Sequence, residues 1–120
     1  MLKPFAALSA AALTLGLAAC APAAPEPVAL PADAVVVDVR TASEHASARL
    51  DGAVLLDVSN GDLETALPGL DPDAPYFVHC RSGSRSAQAV ALMREAGFTD
   101  VTDLGSLEDA AVATGLDIEP

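Results

Sequence analysis

Apolar residues follow two rhythms along this chain. Val35-Val36-Val37-Asp38-Val39, Ala53-Val54-Leu55-Leu56-Asp57-Val58 and Tyr76-Phe77-Val78-His79-Cys80 are short, nearly continuous apolar runs, and Asp100-Val101-Thr102-Asp103-Leu104 is a weaker fourth. Such runs suit strands covered on both faces, as in parallel sheets. Helical spacing fills the intervals. Ser43 to Leu50 reads as a short helix capped by Ser43 and stopped by Asp51-Gly52. Leu63 to Leu67 gives a turn or two before Pro68-Gly69. The strongest pattern is Ser84 to Ala96, where Ala87, Val90, Ala91, Met93 and Ala96 share a face and Gly97 is the stop. Ser106 to Thr114 is the last short helix, ended by Gly115. Strands alternating with helices predict an α/β fold: a small parallel β-sheet flanked by helices and joined by right-handed crossovers.

The front of the chain obeys neither rhythm. Met1-Leu2-Lys3 carries the chain's only Lys, and Phe5 to Ala19 then runs without a charge. That run is short for a membrane span but suits the apolar region of a signal peptide. It ends in Leu17-Ala18-Ala19-Cys20, which resembles the lipobox of bacterial lipoproteins. The resemblance implies cleavage before Cys20, lipidation of Cys20 and export to the periplasmic face of a bacterial membrane. Ala21, where Asp would signal inner-membrane retention, favours the outer membrane. An ordinary secretory signal with a chance Cys is the alternative. Pro22, Pro25, Pro27 and Pro31 among alanines read as an extended tether. The expected organisation is a signal peptide over 1–19, a tether over 20–34 and a domain over 35–120.

Composition narrows the function. The 120 residues have room for one domain, and 52% hydrophobic content is enough for a core, although only 3% is aromatic. Seventeen Asp and Glu against six Lys and Arg give a charge of −11, which argues against a nucleic-acid partner. Without the signal, five arginines face the same seventeen acids, a charge of −12. Two cysteines do not make a disulfide scaffold. If Cys20 is lipidated, Cys80 is the only free thiol.

Cys80 falls where the third strand should end and the strongest helix begin. The connection is Cys80-Arg81-Ser82-Gly83-Ser84-Arg85, holding two of the five arginines in a strongly acidic chain. Sites in open α/β sheets gather at the carboxyl ends of strands. A helix N-terminus with inward amides favours an anion, Gly83 permits an unusual backbone, and Ser82 and Ser84 add hydroxyls. The same groups stabilise a thiolate over a thiol. A thiolate facing an anion cradle suits attack on the sulfur or phosphorus centre of an oxyanion.

The span from Val35 to about Gly115 resembles the rhodanese (sulfurtransferase) domain. Val37-Asp38-Val39-Arg40, Glu44, Leu50-Asp51-Gly52-Ala53, Cys80 through Ser86 and Gly97-Phe98-Thr99-Asp100-Val101 occur in that family's order. The stretch Leu104-Gly105-Ser106-Leu107-Glu108-Asp109 is most similar to its compact periplasmic members. The resemblance implies transfer of sulfane sulfur through a Cys80 persulfide. A small anionic donor such as thiosulfate supplies the sulfur, and cyanide, a thiol or a protein thiol accepts it. Arg81 and Arg85 would orient the donor, and amides from Ser82 to Arg85 would hold the persulfide. No metal or organic cofactor is implied, and the membrane enters only through the lipid anchor.

Two other functions fit the same fold. A Cys phosphatase or arsenate reductase is suggested by His79-Cys80 followed by Arg, although such enzymes resemble a Cys-x5-Arg pattern and four residues separate Cys80 from Arg85 here. A redox-sensing or sulfur-carrying binding module is the other. Among the remaining polar residues, Arg40 reads as an ion-pair partner of Glu44. His79 reads as packed on the face opposite Cys80. His45 and Arg49 read as a surface pair or pocket rim. Residues 28–33 stand where larger family members have an N-terminal strand.

Overall fold

The computed structural model describes residues 24–120. Strand β1, Val35–Asp38, is followed by helix α1, Ala42–Ser47, and strand β2, Arg49–Leu50. Strand β3 is Val54–Leu55, and helix α2, Asp62–Ala66, runs into a single 3₁₀ turn, Leu67–Gly69. Strand β4, Tyr76–His79, leads to helix α3, Ser84–Glu95, and strand β5, Val101–Gly105, leads to helix α4, Leu107–Thr114. Strand β6, Ile118–Glu119, ends the domain. The main sheet has the order β3-β1-β4-β5, and every pair in it is parallel. The α/β expectation therefore stands.

Alternation along the strands sends successive side chains to opposite faces. Val37, Val39, Val78 and Cys80 meet Leu63 of α2 and Ala89, Val90 and Met93 of α3. Val36, Phe77 and Leu104 meet Leu50 and the Leu107, Ala110 and Ala113 stripe of α4. With no Trp and little other aromatic bulk, the core is made mainly of branched aliphatics and alanine.

Several expected boundaries move, each for a local reason. The cap of α1 is Thr41, not Ser43. Its hydroxyl accepts from the Glu44 amide while Glu44 reaches back to the Thr41 amide, a reciprocal capping box. The helix stops at Ser47 rather than continuing to Leu50, because Ala48 turns extended (φ −162°) and Leu50 is wholly buried on a strand. That strand, β2, pairs antiparallel with β6 through Arg49↔Glu119 and Leu50↔Ile118, and neither strand is visible in the local pattern. The second apolar run keeps regular pairing only at Val54–Leu55, yet Leu56 and Val58 still donate backbone hydrogen bonds to Asp38 and Val39. Residues 28–33 do not form a strand. Instead the Val28 amide donates to the Ala113 carbonyl at 2.9 Å, and Val28 and Leu30 pack beside α4.

Candidate active site at the end of strand β4

The parallel strands β1 and β4 end side by side, with Asp38 in register with His79. Cys80 follows immediately, and its amide donates to the Gly105 carbonyl at 2.9 Å at the end of β5. The chain then crosses from β4 to α3 in four residues, Cys80 to Gly83. Gly83 caps α3 at φ 101°, a conformation closed to most side chains. That turn aims the Gly83 amide at the Cys80 sulfur, 2.9 Å away.

Cys80 is fully buried, and burial by itself pushes its thiol pKa up. The Ser86 hydroxyl and the amides of Ser86, Gly83 and Ser82 outweigh burial and leave the thiol below its ordinary value. Ser86 Oγ lies 3.5 Å from the sulfur and 3.0 Å from the Gly83 carbonyl, so it ties the sulfur to the turn. Ser86 is a site residue that the loop sequence does not single out; its place in the first turn of α3, facing back toward the strand end, is the signal that marks it. The Ser82 and Ser84 side chains are exposed, and neither hydroxyl has a hydrogen-bond partner among the described residues. The backbone, with one helical hydroxyl, forms the cradle.

The two loop arginines are not equivalent. Arg85 makes a fork to Glu44 of α1, with Nη1 to Oε1 at 2.7 Å and Nη2 to Oε2 at 3.0 Å. This corrects two expectations: Glu44 pairs with Arg85 rather than Arg40, and Arg85 is committed before any donor arrives. Arg40 instead forks onto Asp38, with Nε to Oδ1 at 2.9 Å and Nη2 to Oδ2 at 2.7 Å. Arg81 is exposed and has no ionic partner among the described residues. It borders an open pocket of about 330 Å³ between α1 and α4, whose wall also includes Glu44, Ser47, Leu107 and Glu108. Cys80 does not line that pocket.

Beneath the loop, on the face opposite Cys80, lies a buried polar cluster. Asp38 accepts from Arg40 and lies 2.8 Å from His45 Nδ1. Burial works to raise the Asp38 pKa, but hydrogen bonds from Arg40 and His45 bring it below the usual carboxylate range. His45 therefore belongs to an interior network and does not pair with Arg49. His79 is wholly buried, with Nδ1 3.3 Å from the Cys80 carbonyl and Nε2 unpartnered among the described residues. Burial holds its pKa down, so it stays neutral and packs as its place in the strand predicts. No group of residues able to hold a metal occurs among the described residues. Cys20 and the rest of the predicted signal lie outside them.

Known proteins are similar to this chain in sequence and fold. The model of the rhodanese-like domain matches residues 26–109. A thiosulfate sulfurtransferase GlpE of Pseudomonas fluorescens is 41% identical over 68 residues, covering 57% of this chain and 61% of that protein. The thiosulfate sulfurtransferase PspE of Escherichia coli is 30% identical over 78 residues, covering 63% of this chain and 73% of that protein. A crystal structure of a Rhodanese_3-like domain from Anabaena superposes with a TM-score of 0.62 at 27% identity, covering 72% of this chain and 98% of that one. The chain thus spans about 61% of the length of its P. fluorescens relative. With the Cys80 loop at the end of a central parallel strand and the matched span covering most of the chain, the protein belongs to the rhodanese-like domain family.

Proposed function

We propose that the protein is a sulfurtransferase that moves sulfane sulfur from an anionic donor, thiosulfate in the first instance, to a thiophilic acceptor. The observation that carries this reading is the Gly83 amide directed at the buried Cys80 sulfur from 2.9 Å. In the first half-reaction the Cys80 thiolate attacks the outer sulfur of thiosulfate. The Sγ–S bond forms, the S–S bond of thiosulfate breaks, and sulfite leaves with the bonding pair. The product is a Cys80 persulfide, whose charge the amides of the turn stabilise as they stabilise the thiolate. In the second half-reaction cyanide or a thiolate attacks the outer sulfur, and Cys80 leaves as thiolate. Arg81, exposed on the same loop and without an ionic partner among the described residues, is the cation free to draw in the donor. Two relatives carry the name thiosulfate sulfurtransferase, which supports the same chemistry here.

The four-residue spacing from Cys80 to Arg85 and the commitment of Arg85 to Glu44 disfavour a phosphatase, which needs that arginine on the oxyanion. We also propose that Cys20 carries a lipid anchor and that the domain faces the periplasm; the support is the Leu17-Ala18-Ala19-Cys20 sequence after an uncharged run.

Intact mass measured after thiosulfate and again after cyanide tests the chemistry. Gain of one sulfur on Cys80, lost as thiocyanate appears, supports the assignment. A folded protein with a titratable thiol that gains no sulfur from thiosulfate or another sulfane donor rejects it. Metabolic labelling with a fatty-acid analogue tests the anchor: label must depend on Cys20.

A further inference from the structure

The charge around the loop is balanced more finely than its two arginines suggest. Glu44 is held from both sides. Arg85 grips both of its oxygens, and the Thr41 amide and hydroxyl donate to Oε1 at 3.2 and 3.1 Å. Those contacts hold the Glu44 pKa down to about 2, so the carboxylate is charged at any working pH. Arg85 also sits on the first turn of α3, on the loop that carries Cys80. Its positive charge is therefore present at the site but largely cancelled. Arg81 is exposed without an ionic partner among the described residues, on a pocket wall that it shares with Glu44 and Glu108.

A thiolate repels any anionic donor, and a dianion more than a monoanion. An unpaired cation for each donor charge would offset that repulsion, and the Glu44 clamp withdraws one of the two cations available. We propose that Glu44 is a specificity-determining residue, which by neutralising Arg85 biases the site toward sulfur donors of single negative charge over dianions. This inference rests on the sulfur-transfer reading and adds the charge class of the donor.

Thiosulfate and methanethiosulfonate provide a matched pair, because both present a terminal sulfur on an oxidised sulfur centre and differ in charge. Attack by Cys80 on the first expels sulfite, and on the second methanesulfinate. In each case the leaving group takes the electron pair of the broken S–S bond, and the persulfide formed is the same. The full chain, purified in mild detergent, is assayed for kcat/KM with each donor at fixed ionic strength. Glu44→Gln keeps the residue type that a capping box accepts while releasing Arg85. The ratio of kcat/KM for thiosulfate to that for methanethiosulfonate rises on the order of tenfold, the scale of one charge-assisted hydrogen bond, chiefly through KM for thiosulfate. Arg85→Gln leaves Glu44 uncompensated and lowers the ratio. The Glu44→Gln/Arg85→Gln pair restores it to near the starting value. Equal changes with both donors in all three variants would show that the clamp only holds the loop's shape, and would overturn the inference. Failure of both donors to load Cys80 in the unmodified chain would overturn the sulfur-transfer reading itself. Melting temperatures of the variants separate a folding defect from a change in preference.

Discussion

Cys80 combines two tendencies that usually oppose each other. It is wholly buried, which favours the neutral thiol, yet amides and a hydroxyl converge on it, which favours the thiolate. The second tendency wins because the amide donors are fixed by backbone geometry and need no reorganisation when charge appears. Persulfide formation therefore rises with pH through a midpoint below the ordinary cysteine value of 9.0, measurable by stopped-flow with thiosulfate. Ser86→Ala removes the hydroxyl at 3.5 Å and moves that midpoint up by about one unit, the scale of a single hydrogen bond to a charge. An unmoved midpoint would assign the whole effect to the amides. Cys80→Ser leaves a folded protein with no transfer, since a hydroxyl does not carry sulfane sulfur. Gly83 is the other single residue on which the site depends. At φ 101° a β-carbon is strained whatever space surrounds it, so Gly83→Ala lowers both stability and the rate of sulfur loading.

At the scale of elements, two ion pairs fasten α1 to the rest of the site. Asp38, at the end of β1, holds Arg40 and His45, and Arg40 donates onward to the Ala48 carbonyl at 2.6 Å, just past the helix. Removing one member strands the other charge in the interior. Asp38→Asn should cost about 3–5 kcal/mol in chemical denaturation; a loss under 1 kcal/mol would mean that water reaches Arg40. The second pair, Glu44–Arg85, joins α1 to the first turn of α3. Its sign with pH follows from a carboxylate whose pKa is depressed on folding. The stabilisation is complete above the ordinary value of 4.5 and is lost as pH falls from there toward about 2. Comparing acid unfolding of the parent with Glu44→Gln reveals it, because the variant lacks that component.

At the scale of the whole molecule, two hydrophobic layers enclose the sheet, and His79 is wholly buried at the end of β4 with no partner for Nε2 among the described residues. Its lowered pKa means that the unfolded chain binds a proton the native one refuses. Stability is thus undiminished above the ordinary histidine value of about 6.5 and declines as pH falls below it. The acidic surface works in the opposite direction, since protonation relieves repulsion in a chain of net charge −11. A His79→Leu comparison isolates the histidine: the variant's melting temperature loses the component that sets in below about pH 6.5. Identical pH profiles would indicate that His79 is solvated in solution.

The sequence by itself determined the alternation of strands and helices, the place of Cys80 at a strand-to-helix crossing and the face that His79 occupies. Those features are local: apolar period, turn residues and side-chain alternation need only a few consecutive residues. The α/β fold was legible for the same reason, and so was the glycine that the loop needs. Only the tertiary structure decided which carboxylate meets which arginine. Asp38 lies two residues from Arg40, but Glu44 and Arg85 are 41 positions apart and meet because β1 and β4 end side by side. The β2–β6 pair was hidden for the same cause, since two residues carry no period and their pairing joins distant parts of the chain. Charge pairing follows proximity in space, and proximity between distant residues exists only after the core has packed.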